Sequence, residues 1–476
     1  MWWPFGRKYP ERRVEEVDSL EFDYVIVGGE IPELSVLVLE LGPARDTFLS
    51  RIPMDSANIL KVDGVAKSWL AEPMIHCNDR RTEFYRGEVL GGGSWINAMV
   101  YTRGCKADYD LWAALGHPEW SFEKVLPYFI KSEKTLNQPQ SNYRGIADFN
   151  GPGAHPDGVG SLDMTIDDKS QRVSSLDAFL PRELALQREK NLIICTNAIV
   201  SHIVFSQKGK KPLVDEVIFT SARKGIDNGI RPRDHLEKHA IDVVQDLPGV
   251  DSNLADHRGI PVAWEVLFKE SLAYVANSPV TVGGIEFLKY IFFRSGLLSM
   301  PAQQSALFDI LSFLRGMVPD AELIPIAFSA MDNPEEYYRL WHKFGIFSLL
   351  SIFTQPKSVG SVRLASSNPR GNPKVDFGIL SDPEDYVFAR KVVRLSLKLG
   401  DAIKAAGFPL IQNLTFSHEQ LEKDIKSGNN EEIDEFIRGR IRTCFRWASS
   451  CRMSPEHDAT TPGVVDDELR VYVVSG

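Results

Sequence analysis

Short β-branched runs and longer amphipathic stretches alternate along the chain. Tyr24 to Val27, Ser35 to Leu39, Leu192 to Cys195, Val200 to Phe205 and Val214 to Phe219 have the length and composition of strands. Tyr386 to Ala406 carries apolar residues at helical spacing, which predicts a long helix with one buried face. From residue 418 to 443, HEQLEKDIKSGNNEEIDEFIRGRIRT reads as two charged amphipathic helices split at Gly428-Asn429, with the charges on a solvated face. Residues 137–160 are dense in Gly, Pro, Asn and Asp and mark a long ordered loop or domain-edge excursion, and residues 365–374 are a second turn-rich joint. No internal repeat or low-complexity tract occurs. The mixture predicts an α/β or α+β fold.

The stretch from Tyr24 to Gly42, YVIVGGEIPELSVLVLELG, holds most of a dinucleotide-binding unit. Such a unit needs a hydrophobic strand, a Gly-rich turn, a helix whose first amides hold pyrophosphate, and a second strand ending in an acid for the ribose hydroxyls. Here the strand runs into Gly28-Gly29, and Glu40 is the candidate acid. Between the turn and the second strand stand only Glu30-Ile31-Pro32-Glu33. A parallel crossover usually takes about a dozen residues or more, so the expectation is an antiparallel return. The helix dipole is missing and Glu30 would set a negative charge near the phosphates. On these residues alone, a plain tight turn explains the glycines equally well.

Composition narrows the function classes. The 476 residues are 43% apolar and 25% charged, as expected of a globular chain of two or three domains. A formal charge of -10 argues against a nucleic-acid footprint, and Lys208 to Lys211 (KGKK) reads as a hairpin tip rather than a phosphate site. Five cysteines, Cys77, Cys105, Cys195, Cys444 and Cys451, form no C-x-x-C pair, so reduced thiols in a cytoplasmic protein are expected rather than a disulfide framework or zinc. The first residues lack an apolar signal-peptide core, which leaves Trp2-Trp3 to pack on the body of the protein and the Asn413-Leu414-Thr415 triplet without glycosylation meaning. No apolar window reaches eighteen residues, and IEFLKYIFF is broken by Glu286 and Lys289. His235 and His239 would share a helix face, but the acid at Glu237 does not complete a zinc-protease motif, and a surface helix is expected with no metal. Ser449-Ser450-Cys451 lies in no Gly-x-Ser-x-Gly elbow and reads as small packing residues.

Tyr85 to Asp110, YRGEVLGGGSWINAMVYTRGCKADYD, is more specific. Gly91-Gly92-Gly93-Ser94 permits close backbone approach to a ligand, and Asn97 offers an amide just beyond. This stretch resembles the N-terminal signature of the glucose-methanol-choline (GMC) family of FAD-dependent oxidoreductases, with Glu88 where a basic residue is usual. Further segments look like the same family. They are GHPEWSFEKVLPYFIKSE from Gly116, LPGVDSNLADHRGI from Leu247 with Asp251 where glycine is usual, QPKSVGSVRLASSNPRGNPKVDF from Gln355, and the Trp447 to Met453 run WASSCRM, which is similar to fungal members.

The resemblance implies a Rossmann-like FAD-binding domain interleaved with a substrate domain built on an antiparallel sheet. Its divisions would be an N-terminal extension at 1–20, a mainly FAD-binding region at 21–260, a substrate segment at 261–354 and a C-terminal region at 355–476. It implies FAD contacts at Gly28, Gly29, Glu40, Gly92, Gly93, Ser94, Asn97, Ala98, Met99, Val100 and Val200. It also implies an alcohol substrate whose hydride passes to the flavin, with oxygen or another acceptor taking the electrons onward. Specialised metabolism in a fungus is the expected setting, with no nucleic-acid or membrane partner. The family's histidine base falls at Arg446, and arginine stays protonated, so a base role is lost there and charge stabilisation or a salt bridge to a nearby carboxylate is expected instead. His257, beside Asp256, would make a structural hydrogen bond near the flavin. Further family segments are missing after Lys224 and after Gly476. The resemblance therefore implies removal of blocks, through an incomplete gene model or a truncated allele, and the rival expectations are a catalytically silent binding or scaffold homologue and a chain that does not fold stably because sheet edges and apolar faces are left uncovered.

Overall fold

A computed structural model describes residues 9–27, 35–54, 66–136, 158–206, 211–220, 230–311, 318–330, 343–368, 371–416, 422–423, 425, 427–428, 430–458 and 460–474. Its largest element is a six-stranded antiparallel sheet. The strand order is Arg442–Thr443, Arg258–Val266, Gly345–Phe353, Ala321–Ile326, Ser305–Asp309 and Gly158–Ser161. The central strands read RGIPVAWEV and GIFSLLSIF, almost continuously apolar, because both faces of the sheet are covered.

One face carries Ile260, Val262, Trp264, Leu323 and Phe353 and packs on the helix Glu384–Ala405 through Ala389, Val392, Val393 and Leu397. Those helix positions recur at the spacing that keeps a single face inward, as the sequence pattern implied. Contact is closest at Gly400, where a Cβ would lie 2.4 Å from Trp264 Cζ2. The opposite face carries Ile324, Leu350 and Ile352 and looks toward the Gly91–Val100 segment. The strand Arg258–Val266 runs across the 260/261 division, and Gly158–Ser161 joins the sheet from far upstream.

A second, three-stranded sheet is the dinucleotide unit's framework, in the order Tyr24–Val27, Val36–Leu39, Leu192–Cys195. Tyr24 pairs with Val36 and Val36 with Leu192, both in parallel register. The antiparallel return expected from the short connection is therefore wrong. The error was to equate a parallel connection with a helical one: residues 28–35 can extend over about 26–29 Å, more than twice the length of a four-residue strand. Val36, Leu37, Val38 and Leu39 are buried between neighbours, whereas Tyr24, Val25 and Val27 are 51%, 38% and 59% exposed. Gly28 and Gly29 lie outside the described residues.

The remaining strands expected from the pattern appear as the antiparallel pair Ile199–Ser206 and Leu213–Thr220, and residues 207–210, expected as a hairpin tip, lie outside the described residues. The charged stretch near the C-terminal end gives the helix Asn430–Arg440, and the His235 segment gives the helix Arg233–Lys238, where His235 Nε2 accepts from Leu364 N–H at 3.0 Å. All five cysteines are free.

Gly400→Ala tests the sheet–helix contact. In an open helix this change stabilises by about 1 kcal/mol, but here the added methyl meets a buried indole and is expected to cost about 1–3 kcal/mol. Urea denaturation followed by circular dichroism reads the sign directly, and an unchanged or raised midpoint would refute the packing.

Candidate functional site

The strand Glu83–Gly87 delivers the chain into the glycine run. A Cβ on Gly87 would meet the Gly92 carbonyl oxygen at 2.4 Å, so the chain folds back on itself only with glycine there. The following turn is pinned by Trp95, fully buried, whose Nε1–H donates to Leu90 O at 2.9 Å. A second pin is Arg172, also fully buried: its Nη1 donates to Ser94 O at 3.1 Å and Asn97 Oδ1 at 2.8 Å, and its Nη2 to Asn97 O at 2.8 Å. Asn97 Oδ1 further accepts from Met99 N–H at 3.0 Å. With its carbonyl occupied twice, Asn97 has its amide N–H donors left for whatever fills the space in front. Met99 adopts φ 63, rare for a side chain of that size, and is fully buried.

That space is a cavity of about 860 Å³. One wall is Gly92, Gly93, Asn97, Ala98 and Val100, and the opposite wall is Ile324, Leu350 and Ile352 from the large sheet with Phe328. The third wall is the segment Arg442 to Trp447, continuing the edge strand Arg442–Thr443. Trp447 fixes this segment by stacking on Phe377 at 6.0 Å and meeting Phe84 edge-on at 5.4 Å.

Arg446 faces the cavity with 36% of its side chain exposed, while behind it Glu322 is 3% exposed. Nη1 donates to Glu322 Oε2 at 2.7 Å and Nη2 to Oε1 at 3.4 Å. Burial alone would pull the guanidinium down, but Glu322 holds it above its ordinary value. Nη1 also donates to His257 Nδ1 at 3.1 Å, and the Arg446 backbone N–H donates to Asp256 Oδ1 at 3.0 Å. Burial, then the charges of Arg446 and Arg258, push His257 down to about 4, so its imidazole is neutral at pH 7. Cys444 is pushed up to about 12, chiefly by burial, and burial together with the bond from its hydroxyl to Glu83 Oε2 raises Tyr85. Among the described residues lining the cavity, none is a base at neutral pH.

The residues singled out in the sequence divide cleanly. Gly92, Gly93, Asn97, Ala98, Val100 and Arg446 come together around the cavity. Met99 is buried behind it, and Ser94 turns away, donating to Gly91 O at 2.6 Å and accepting from Ser175 N–H at 2.9 Å. Glu40 and Val200 do not line it. Glu40 Oε1 accepts from Gly42 N–H at 2.7 Å at the end of its strand, with burial raising its pKa, and Val200 packs beside Leu37, Leu39 and Cys195. Asp251 has φ 57, which explains why its place suits glycine, and its carboxylate is held by Arg231. Sequence reasoning missed Arg86, Arg442, Arg172 and Glu322. Arg86 and Arg442 lie inside the stretches Tyr85 to Asp110 and 418–443 already picked out, and the alternation of Glu322 with Ile324 was the available signal for Glu322.

The N-terminal GMC oxidoreductase family model matches residues 23–228 and the C-terminal one residues 356–476. The chain belongs to the GMC oxidoreductase family. It is 27% identical over 525 aligned positions to the oxygen-dependent choline dehydrogenase of Sinorhizobium fredii (strain NBRC 101917 / NGR234), covering 96% of this chain and 90% of that protein. The corresponding enzyme of Pseudomonas fluorescens (strain Pf0-1) is 28% identical over 538 positions, with 96% and 88% covered. Both alignments are longer than the 476-residue chain, so these GMC relatives carry residues that it lacks within the matched span. Among solved structures the fold matches a formate oxidase at TM-score 0.78, 19% identity and 95% and 92% coverage. A fungal aryl-alcohol oxidase matches at 0.72, 19% identity and 95% and 94% coverage.

Family membership makes FAD the cofactor. The residues present fit its ring half. No atom lies within 4 Å of a Cβ built on Gly92 or Gly93, which leaves open backbone on the cavity wall, and the Asn97 amide stands beside them. Among the described residues no helix is long and apolar enough to cross a membrane, and no cluster of His, Cys, Asp and Glu could hold a metal ion.

The depressed His257 makes stability pH-dependent. Between about pH 6.5 and 4 the unfolded chain takes up a proton at His257 that the folded chain refuses, so stability falls as pH falls through that window. His257→Gln is expected to flatten the fall in thermal midpoint over that range relative to the parent, and parallel profiles would count against this environment.

Proposed function

We propose that this GMC oxidoreductase acts on a CH–OH group held in the cavity between Gly92, Gly93, Asn97 and Arg446. The observation that carries the reading is the convergence of the glycine wall and Arg446 on one enclosed space. Gly92, Gly93, Asn97, Ala98 and Val100 would hold the flavin ring, with Met99 and Ser94 supporting their backbone and Arg172 fixing the Asn97 amide. Glu40, Gly28, Gly29 and Val200 would serve the nucleotide half. When bound, FAD supplies the hydride acceptor and passes the electrons to oxygen or another acceptor.

The protein's own contribution differs from a histidine-based site. Arg446 cannot accept the hydroxyl proton, and its charge instead favours a substrate oxygen that becomes negative. Glu322 keeps that charge oriented and partly neutralised. The proton then leaves to solvent rather than to a positioned base, an arrangement that forfeits about 10²- to 10⁴-fold in rate. The absence of a lining base also favours a second reading, a flavin-binding homologue without turnover. The likeness of WASSCRM to fungal members supports a place in fungal specialised metabolism.

The visible spectrum of the purified chain with FAD separates the readings. Retained flavin bleached anaerobically by a benzylic alcohol supports the oxidoreductase, retained flavin with no bleaching supports the silent homologue, and failure to retain flavin overturns both. Restoring the base as Arg446→His together with Glu322→Gln, which removes the carboxylate's need for a cation, is expected to raise the bleaching rate by about 10²- to 10⁴-fold. No rise would argue against the site assigned to Arg446.

A further inference from the structure

The cavity has a charge character that its role in alcohol oxidation does not require. Three guanidinium groups line it, Arg86, Arg442 and Arg446, and among the described residues no carboxylate does. The chain as a whole carries a formal charge of -10, so the cavity opposes the sign of the molecule around it. Arg446 is already matched by Glu322. Arg86 lies over the Trp447 ring at 5.4 Å and makes no ion pair among the described residues. Arg442 Nε is buried without a hydrogen-bond partner, and Arg442 likewise makes no ion pair among the described residues. A buried guanidinium donor left unmatched is costly, and the planar fork of arginine matches a planar oxyanion such as a carboxylate, or a phosphate, through two parallel hydrogen bonds. The rest of the lining is apolar and aromatic, with Phe328, Phe445, Trp447 and Ile324 offering area to a ring or hydrocarbon body.

We propose that the cavity selects an anionic substrate, a hydroxy carboxylate with an apolar or aromatic body, and that Arg442 and Arg86 receive its carboxylate. This rests on the reading of the cavity as the substrate site. Arg442 and Arg86 supply the two charges that Glu322 does not balance, and they repel a cationic alcohol by the same field. Arg442 comes from the start of the segment that also presents Arg446, so one short stretch of chain would hold the carboxylate and face the reacting oxygen.

Mandelate, its uncharged methyl ester and benzyltrimethylammonium probe this directly by isothermal titration, on the FAD-loaded protein and on the flavin-free form. Mandelate is expected to bind at least tenfold more tightly than the ester, with no measurable binding of the cation. Arg442→Gln is expected to bring mandelate and ester together while the circular dichroism spectrum and thermal midpoint stay unchanged, and Arg442→Lys to restore part of the preference. Equal affinities for acid and ester overturn the proposal. So does a preference untouched by Arg442→Gln, or one seen in the flavin-free form and lost once FAD is bound, because the arginines would then serve the cofactor. Loss of flavin retention alone speaks against the oxidoreductase reading, and the acid-to-ester ratio is still read on the flavin-free form.

Discussion

The buried carboxylate of Asp256 ties the walls of the cavity together. Only 2% exposed, it accepts from the Arg446 backbone at 3.0 Å through one oxygen and from Arg258 Nη1 at 3.0 Å through the other. Arg258 is wholly buried and reaches on to Phe377 O at 2.7 Å. One ion pair thus joins the central sheet strand, the segment carrying Arg446 and the strand-rich start of the C-terminal region. Removing either partner would strand a buried charge, which is far more damaging than the pair is stabilising. The placement of the guanidinium at the cavity wall is therefore a property of the fold's core, and the side chain at 446 can change identity without moving the backbone that presents it.

That independence would let an arginine stand where the family resemblance implies a histidine. A cation introduced into a half-enclosed cavity needs a counter-charge, and Glu322 provides one from the sheet, on the same face as Ile324. The exchange alters chemistry more than structure. It removes a proton acceptor, leaves His257 neutral beside the new charge, and turns the cavity toward anions. Arg86 and Arg442 add to the same sign with no acidic residue on the lining among the described residues.

Local pattern revealed the elements whose composition or spacing is itself the signal, short β-branched runs and one long amphipathic helix. Tyr24–Val27, Leu192–Cys195 and the long helix Glu384–Ala405 follow from periodicity almost residue for residue. The large sheet was opaque for the opposite reason: Gly345–Phe353 is buried on both faces, so its sequence has no alternation to read. The cavity was legible through Gly92, Gly93 and Asn97 because a glycine run leaves a local trace, and through Arg446 only by resemblance to the family's active-site strand. Arg172 left none, and Glu322 only its alternation with Ile324, since each acts on a partner more than seventy residues away. The parallel register of the first sheet was missed because chain length limits reach, not direction.

The first strand of the dinucleotide unit combines a matched register with unusual exposure. Val36–Leu39 is buried throughout, held between two parallel neighbours, and its partner Leu192–Cys195 keeps matching register. Tyr24–Val27 keeps its register too, yet three of its four side chains are more than a third exposed. Apolar strand residues under steady drift toward a solvent-facing role would be expected to turn polar, because exposed β-branched edges invite pairing with other chains. Here they remain Tyr, Val, Ile and Val. The strand still has the composition of a covered one, and both relatives' alignments exceed this chain in length. The strand thus keeps that composition while standing, among the described residues, at the edge of its sheet.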